Sequence, residues 1–132
     1  MTDVDQDFDI LTQLFQSSED AVVVCNVAEE IILFNGTASQ LYGRVKSVKL
    51  ADCPEMFGMH TAEGTRLLRK DELPMYRALH GETIRGFELL LRDRQHGTRH
   101  MAIDAYPIQK EGAIIGAIVK SRVTGEKKLT NR

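Results

Sequence analysis

Two cysteines and four histidines are the side chains of this sequence with the strongest potential for chemistry. Cys53 lies in a predicted loop and Cys25 in the middle of a predicted strand. A reactive thiol needs a neighbouring cation that lowers its pKa, and the residues around Cys53 supply none. We therefore interpret Cys53 as a half-buried loop residue that packs as a small hydrophobe, with a reactive or ligand-bearing thiol as the alternative. Cys25 is interpreted as structural.

The histidines do not predict a metal site. His96 and His100 are four residues apart, but Gly97-Thr98 between them indicates a turn, so the two rings do not share a helix face. His80 precedes Gly81 at the end of a predicted helix, where a cation is favoured. We interpret His80 as an exposed side chain.

No catalytic motif is present. The sequence lacks a Gly-x-Ser-x-Gly nucleophile elbow, a phosphate-binding loop and an evident pair of nucleophile and base. Asp71 and Glu72 are interpreted as charges at the start of a helix. We therefore expect a protein that is not an enzyme.

The composition is that of one globular domain. At 132 residues the chain can bury a hydrophobic core without disulfides or metal. A hydrophobic content of 42% and a formal net charge of −2 give no basic surface for nucleic acid or an anionic membrane. No apolar run approaches the roughly 20 residues of a membrane span. The acidic start is unlike a signal peptide, and two cysteines do not make a disulfide framework, so we expect a cytoplasmic protein.

The elements that would position these side chains begin with a hairpin. Residues 21–26 and 31–34 are short, apolar and β-branched, and the polar residues 27–30 join them. Both faces of the first strand are apolar, so it needs cover on both sides. We expect the domain core on one face and an added helix or a partner chain on the other.

Residues 1–18 supply the predicted cover. Apolar side chains recur there at helical spacing, which indicates an amphipathic helix that is too short to be stable alone. We expect this helix to dock on the sheet or on a second subunit. The residues of its apolar stripe, which form the predicted dimer interface, are Phe8, Leu11, Leu14 and Phe15.

A second helix should follow the hairpin. Thr37-Ala38-Ser39-Gln40 has the form of a capping box, and Gly43 supplies a stop, so a short helix is predicted over residues 37–42. Residues 44–70 predict helical turns and loop.

One continuous helix is predicted over residues 70–81. Asp71 can cap it, Pro74 lies in the first turn where its missing N–H does no harm, and Gly81 ends it.

The last third of the chain predicts strands. Residues 87–92, 101–106 and 114–119 alternate with period two and are separated by short turns, so they should be sequential and antiparallel. Residues 123–132 are polar and are predicted as a tail or the start of a linker helix. This order predicts an α+β domain over residues 19–122, with a five-stranded antiparallel sheet and helices over one face.

Several of these segments resemble PAS domains in order and spacing, over roughly residues 8–125. The fold that this resemblance implies is a PAS-like sheet with an N-terminal amphipathic helix. The matching segments are Ser17–Val22 with Ile32–Asn35, Leu41-Tyr42-Gly43, Asp71–Glu82 and Glu111–Ile118.

The resemblance also bears on cofactors, and we expect none. The Asn-Cys-Arg-Phe-Leu box of the flavin-binding light sensors is absent, which argues against flavin. The oxygen-sensing branch holds haem through a helix histidine, a role that His80 or His60 could take here. The yellow-protein branch attaches a chromophore to a loop cysteine in the region of Cys53, but residues 34–38 lack its accompanying Tyr and Glu.

The function implied by the resemblance is that of a bacterial sensory module, as in two-component signalling. It would form a homodimer and transmit a small ligand or redox state in its core to an output domain such as a histidine kinase. The alternative is a ligand-free protein-interaction domain with a filled core.

A helical layer over a sheet leaves room for a small apolar pocket, and the buried hydroxyl expected for Tyr76 suggests a polar contact in it. The predicted lining residues are Phe34, Leu41, Leu73, Tyr76, Phe87, Leu89, Met101 and Ile103.

Overall fold

The computed structural model describes residues 20–43, 48–94 and 97–127. They form an antiparallel sheet of six strands in the order β2-β1-β6-β5-β4-β3. The first strand of the chain therefore lies beside the last. The strands are β1 (Ala21–Asn26), β2 (Ile31–Phe34), β3 (Met59–Thr61), β4 (Ile84–Asp93), β5 (Gly97–Lys110) and β6 (Ala113–Lys127).

The helices lie over one face of this sheet, as predicted. The described residues form five helices, of which two are single turns of 3₁₀ helix and three are short α-helices. None of the helices in the described part of the chain is long and apolar enough to cross a membrane. The helices are α1 (Gly36–Tyr42), the 3₁₀ turn Leu50–Asp52, α2 (Cys53–Phe57), the 3₁₀ turn Lys70–Glu72 and α3 (Pro74–Leu79).

The predicted first hairpin is present and its turn is held by a side chain. Asn26 Oδ1 accepts hydrogen bonds from the backbone N–H groups of Ala28 at 3.0 Å and Glu30 at 3.1 Å. Glu29, between them, adopts a positive φ of 65°. The β-branched strands pair with Val23 opposite Phe34.

The predicted sheet of five strands is wrong by one strand. Residues 59–61, predicted as loop or helical turn, form β3 at the edge beside β4, with Met59 opposite Leu91 and Thr61 opposite Leu89. A strand of three residues is too short to show a period of two, so its sequence gives no local signal.

The C-terminal strands are longer than predicted. Gly97 and Thr98, predicted as part of a turn, begin β5 opposite Asp93 and Arg92. Residues 123–127, predicted as a tail or helix, continue β6 beside β5. Polar side chains are tolerated there because an antiparallel strand can keep one face in water.

The prediction of one helix over residues 70–81 is also wrong. Leu73 is extended, with φ −67° and ψ 133°, and separates the 3₁₀ turn from α3. The ring of Pro74 disfavours helical geometry in the residue before it, which explains the break. The helical region does end at the predicted place, where Gly81 adopts a φ of 99°.

Helix α1 is capped by Asn35 and not by the predicted box at Thr37. Asn35 Oδ1 accepts from the backbone N–H of Ala38 at 2.8 Å and of Val22 at 3.0 Å. Its Nδ2 donates to the carbonyl of Asp20 at 2.9 Å. Asn35 is only 2% exposed, so one buried side chain joins the start of β1, the end of β2 and the start of α1. Thr37 lies inside the helix.

The hydrophobic core lies between the helices and the inner face of the sheet. Val23 and Cys25 of β1 and Ile103 of β5 belong to it. Val22 and Val24, on the other face of β1, are also buried, in agreement with the prediction that both faces of this strand are covered. The cover predicted for that face, residues 1–18, lies outside the described residues.

Candidate functional site

An apolar cavity of about 60 Å³ lies inside the core, between the sheet and the helical layer. We call it the core cavity. Its walls come from all six strands, from α1 to α3 and from the 3₁₀ turn at Leu50. The lining residues are Val23, Ile31, Phe34, Tyr42, Leu50, Cys53, Phe57, Met59, Leu73, Pro74, Met75, Leu89, Ile103, Val119 and Ser121.

Two hydroxyl groups provide the polar part of this wall. The hydroxyl of Tyr42 donates a hydrogen bond to Ser121 Oγ at 3.2 Å. Burial raises the pKa of Tyr42, and the hydrogen bond with Ser121 opposes that rise only in part. The phenol therefore stays protonated. A serine hydroxyl that accepts one hydrogen bond still has its own O–H to donate, so the pair can serve a polar group of a ligand.

The elements on which these hydroxyls lie explain their direction. Tyr42 ends α1, where the aromatic edges of Phe34 and Phe57 hold its ring at centroid distances of 6.3 Å and 5.1 Å. Ser121 lies on β6, two residues after Val119, so both side chains point to the core. Sequence reasoning missed both hydroxyls. A serine in step with the inward side chains of an apolar strand was the signal that could have identified Ser121.

The predicted lining residues divide into two groups of four. Phe34, Leu73, Leu89 and Ile103 line the core cavity, whereas Leu41, Tyr76, Phe87 and Met101 lie outside its lining. Tyr76 is half-buried on α3, with its ring 4.3 Å from that of His80 and the ammonium of Lys70 at 5.3 Å from its centre. The predicted dimer residues Phe8, Leu11, Leu14 and Phe15 lie outside the described part of the chain.

Both cysteines are buried and chemically quiet. Cys53 begins α2 instead of lying half-buried in a loop, and its thiol donates to the carbonyl of Lys49 at 3.5 Å. Burial raises the pKa of Cys53 to about 12, and the charge of Asp52 adds to the rise. Burial also raises the pKa of Cys25 to about 12. Neither sulfur is a thiolate at neutral pH, so neither is an activated nucleophile.

The histidines considered for haem do not line the core cavity. His80 is exposed, as predicted, with Nδ1 2.9 Å from the carbonyl of Tyr76. His60 lies on β3 with Nδ1 2.9 Å from the carbonyl of Gly58. A cavity of about 60 Å³ has no room for a porphyrin, so these residues do not fit haem. The described residues also contain no group of three His, Cys, Asp or Glu side chains that could hold a metal ion.

Charged pairs hold the segment that covers the core cavity. Glu72 accepts two hydrogen bonds of 2.8 Å from the guanidinium of Arg66 and one of 2.8 Å from the backbone of Arg69. These bonds lower the pKa of Glu72 to about 2, with the Arg66 hydrogen bond as the largest cause. Lys70 donates to Glu29 at 2.8 Å and so ties the same segment to the first hairpin. Leu73 and its two successors are thereby placed over the core cavity.

Solved structures with this arrangement of strands and helices identify the fold. The PAS domain of an HTR-like protein from Haloarcula marismortui matches 91% of this chain and 93% of its own, with a TM-score of 0.56 and 20% identity. The PAS domain of the fruit-fly ELK potassium channel matches 89% of this chain and 96% of its own, with a TM-score of 0.64 and 12% identity. This chain has the PAS fold. The resemblance seen in the sequence is therefore confirmed at the level of the fold.

A third similar structure is that of a complex. The phage VqmA-DPO complex matches 91% of this chain and 54% of its own, with a TM-score of 0.63 and 17% identity. No protein-family model and no curated protein matches the sequence. At these identities the similarity establishes the PAS fold, and the function has to be argued from the core cavity.

Proposed function

We propose that this PAS domain is a sensory signalling module that binds a small molecule in the core cavity. The observation that carries the proposal is the Tyr42–Ser121 hydroxyl pair, which places hydrogen-bonding capacity in an otherwise apolar wall. Such a combination of an apolar surface and a few convergent polar groups is typical of small-molecule sites. The complex of phage VqmA with DPO, which has a similar fold, supports the idea that the fold can serve a ligand.

The size of the cavity limits the ligand. A water-sized group needs about 10–15 Å³ of such volume, so the core cavity has room for roughly four to six of them. We therefore propose a compact, largely apolar molecule with one polar group that contacts the hydroxyl pair. The proposed role is binding without catalysis, because the buried thiols and the protonated phenol offer no active nucleophile.

Strand β6 offers the route for the signal. It carries Val119 and Ser121 in the wall of the core cavity and continues to Lys127, and it also pairs with β1. A ligand that binds one arrangement of Ser121 better than another would shift the population of β6 conformations. We propose that this shift reaches an output domain, such as a histidine kinase of a bacterial two-component system, attached to or bound by the module.

The first test is native mass spectrometry on protein purified from its own host, with an absorption spectrum of the same sample. A bound molecule without a visible band is expected. Tyr42→Phe should lose the extra mass, and the matched control Tyr106→Phe, on β5 and outside the lining of the core cavity, should keep it. Retention by both variants would place the molecule outside the core cavity, and its absence from the wild type would contradict the proposal.

The small size of the cavity favours a second candidate, a protein-interaction domain with a filled core. A matched pair of variants distinguishes the two functions. Val23→Ile adds a methylene to the wall of the core cavity, and Val27→Ile adds one at an exposed turn. A sensor should lose ligand and signalling with Val23→Ile alone. An interaction domain should keep its partner with both variants.

We also propose that the module forms a homodimer through the apolar stripe of residues 1–18. Replacing Leu11 and Leu14 with Asp should give a monomer with an unchanged circular dichroism spectrum. Light scattering after size-exclusion chromatography measures the mass, and an unchanged dimer mass would refute this interface.

A further inference from the structure

Arg99 is a buried cation at one end of the core. It lies on β5 opposite Leu91 of β4, and its side chain is 9% exposed. Cations are seldom buried to this extent unless their charge and their N–H groups are matched. The partners of Arg99 therefore indicate whether residues of this chain match all of its N–H groups.

Within the described part of the chain, Arg99 donates two hydrogen bonds, and both are long for a buried guanidinium. Both are donated by Nη2, to Asp93 Oδ2 at 3.2 Å and to the carbonyl of Leu41 at 3.4 Å. Nε is buried and has no hydrogen-bond partner among the described residues. A guanidinium has five N–H donors in a planar fork that matches a carboxylate with two parallel bonds, but Asp93 contacts only one of its nitrogens. Arg99 thus keeps capacity for a second anion.

Arg99 lines a surface cleft of about 300 Å³. Leu41, Tyr42, Phe57 and Met56 form an apolar wall, and Met56 is 52% exposed although it is a large hydrophobic residue. Arg99, Arg94 and Asp93 also line the cleft, so the described residues supply it with two cations and one anion. We call it the Arg99 cleft.

We propose that the Arg99 cleft binds a small organic monocarboxylate with an apolar body. The carboxylate would accept hydrogen bonds from the guanidinium N–H groups that Asp93 and Leu41 leave unused, and the body would pack on Phe57 and Met56. A doubly charged anion fits less well, because the carboxylate of Asp93, which lies beside the guanidinium, would repel such a ligand. The site is distinct from the core cavity, although Tyr42 and Phe57 border both, and it does not rest on the proposed sensory function.

An NMR titration of the full chain with 3-phenylpropanoate tests the proposal, with the neutral 3-phenylpropanamide as the control ligand. The carboxylate is expected to bind in the millimolar range or tighter and to shift the Nε–H signal of Arg99 and the amides of residues 40–43, 56–57 and 91–94. The amide should bind at least about tenfold more weakly. Equal binding of the two ligands, shifts confined to other residues, or no shifts at all would overturn the proposal.

A matched pair of variants provides the second test. Arg99→Lys keeps the charge but loses the fork, and should weaken binding of 3-phenylpropanoate at least about tenfold. Arg85→Lys changes an exposed arginine of β4 that does not line the cleft and should leave the affinity unchanged. If Arg99→Lys fails to fold, the comparison of the two ligands on the wild type decides. Equal affinity of the two variants would refute a role for the guanidinium.

Discussion

Replacing Asn35 with Ala should be among the most damaging single changes in this domain, although Asn35 is a polar residue. Its side chain makes at least three hydrogen bonds, to the backbone of Val22, Ala38 and Asp20. Loss of the helix cap costs about 1 kcal/mol. The unsatisfied N–H of Val22 is buried and costs about 1–3 kcal/mol, and the carbonyl of Asp20 costs less because it is partly accessible to water.

The expected total is about 2–5 kcal/mol of the free energy of unfolding. This is a large part of the roughly 5–15 kcal/mol that stabilises a typical domain. Urea unfolding followed by circular dichroism measures it, and the melting temperature should fall by about 5–20 °C. Asn35→Asp should have an intermediate effect, because the carboxylate keeps both acceptor bonds but cannot donate to Asp20.

Asn26→Ala is the matched control for this prediction. Asn26 also accepts two backbone hydrogen bonds, but they lie in the turn of the first hairpin, where water can replace them. We expect a loss of about 1 kcal/mol or less. Equal losses for Asn26→Ala and Asn35→Ala would refute the argument that burial of the hydrogen bonds determines their value.

Three further predictions concern the backbone, the loss of stability at acidic pH and the thiols. Gly58→Ala should destabilise the domain by several times more than Gly112→Ala, as measured by urea unfolding. Both glycines have positive φ, but a Cβ on Gly58 would meet a carbonyl of β4, whereas one on Gly112 meets nothing within 4 Å. Because the pKa of Glu72 is lowered to about 2, the unfolded chain takes up its proton first, and stability should fall as the pH drops from about 4.5 towards 2. Glu72→Gln should reduce that fall, and Glu88→Gln should not. With a pKa of about 12, Cys53 should resist iodoacetamide in the folded protein and react only in denaturant, as mass spectrometry of timed samples would show.

The parts of the fold that follow from local sequence were predicted correctly. The alternation of Met101, Ile103 and Ala105 places them on one face of a strand, and all three are buried in the core. Turn chemistry gave the first hairpin, and Gly81 gave the end of the helical region. These signals are local because side-chain direction and φ preference depend on a residue and its close neighbours.

The errors arise where a partner distant in the sequence decides the conformation. Strand β3 exists because β4 offers it an edge, which the sequence of residues 59–61 does not encode. The capping box at Thr37 was a valid local pattern. The helix is capped by Asn35 instead, because the Asn35 side chain also accepts a hydrogen bond from the backbone of Val22, 13 residues earlier. The break at Leu73 is the exception, since the proline after it was sufficient to predict it.

The candidate site was harder to predict than the fold. A cavity is the small difference between the volume that the backbone encloses and the volume that the side chains fill. Leu89 and Met101 face each other across β4 and β5 and are both buried, yet Leu89 borders the core cavity and Met101 does not. The type and spacing of two such residues do not show which one lines a cavity and which one is packed within the core. Protein interiors contain almost no voids, and the position of each void depends on all the neighbouring side chains. The polar residues are more informative: an inward Ser121 has to find a hydrogen-bond partner in the core, and Tyr42 is the side chain that reaches it. A search for inward hydroxyls on apolar strands would therefore have located this site better than the list of large hydrophobic residues.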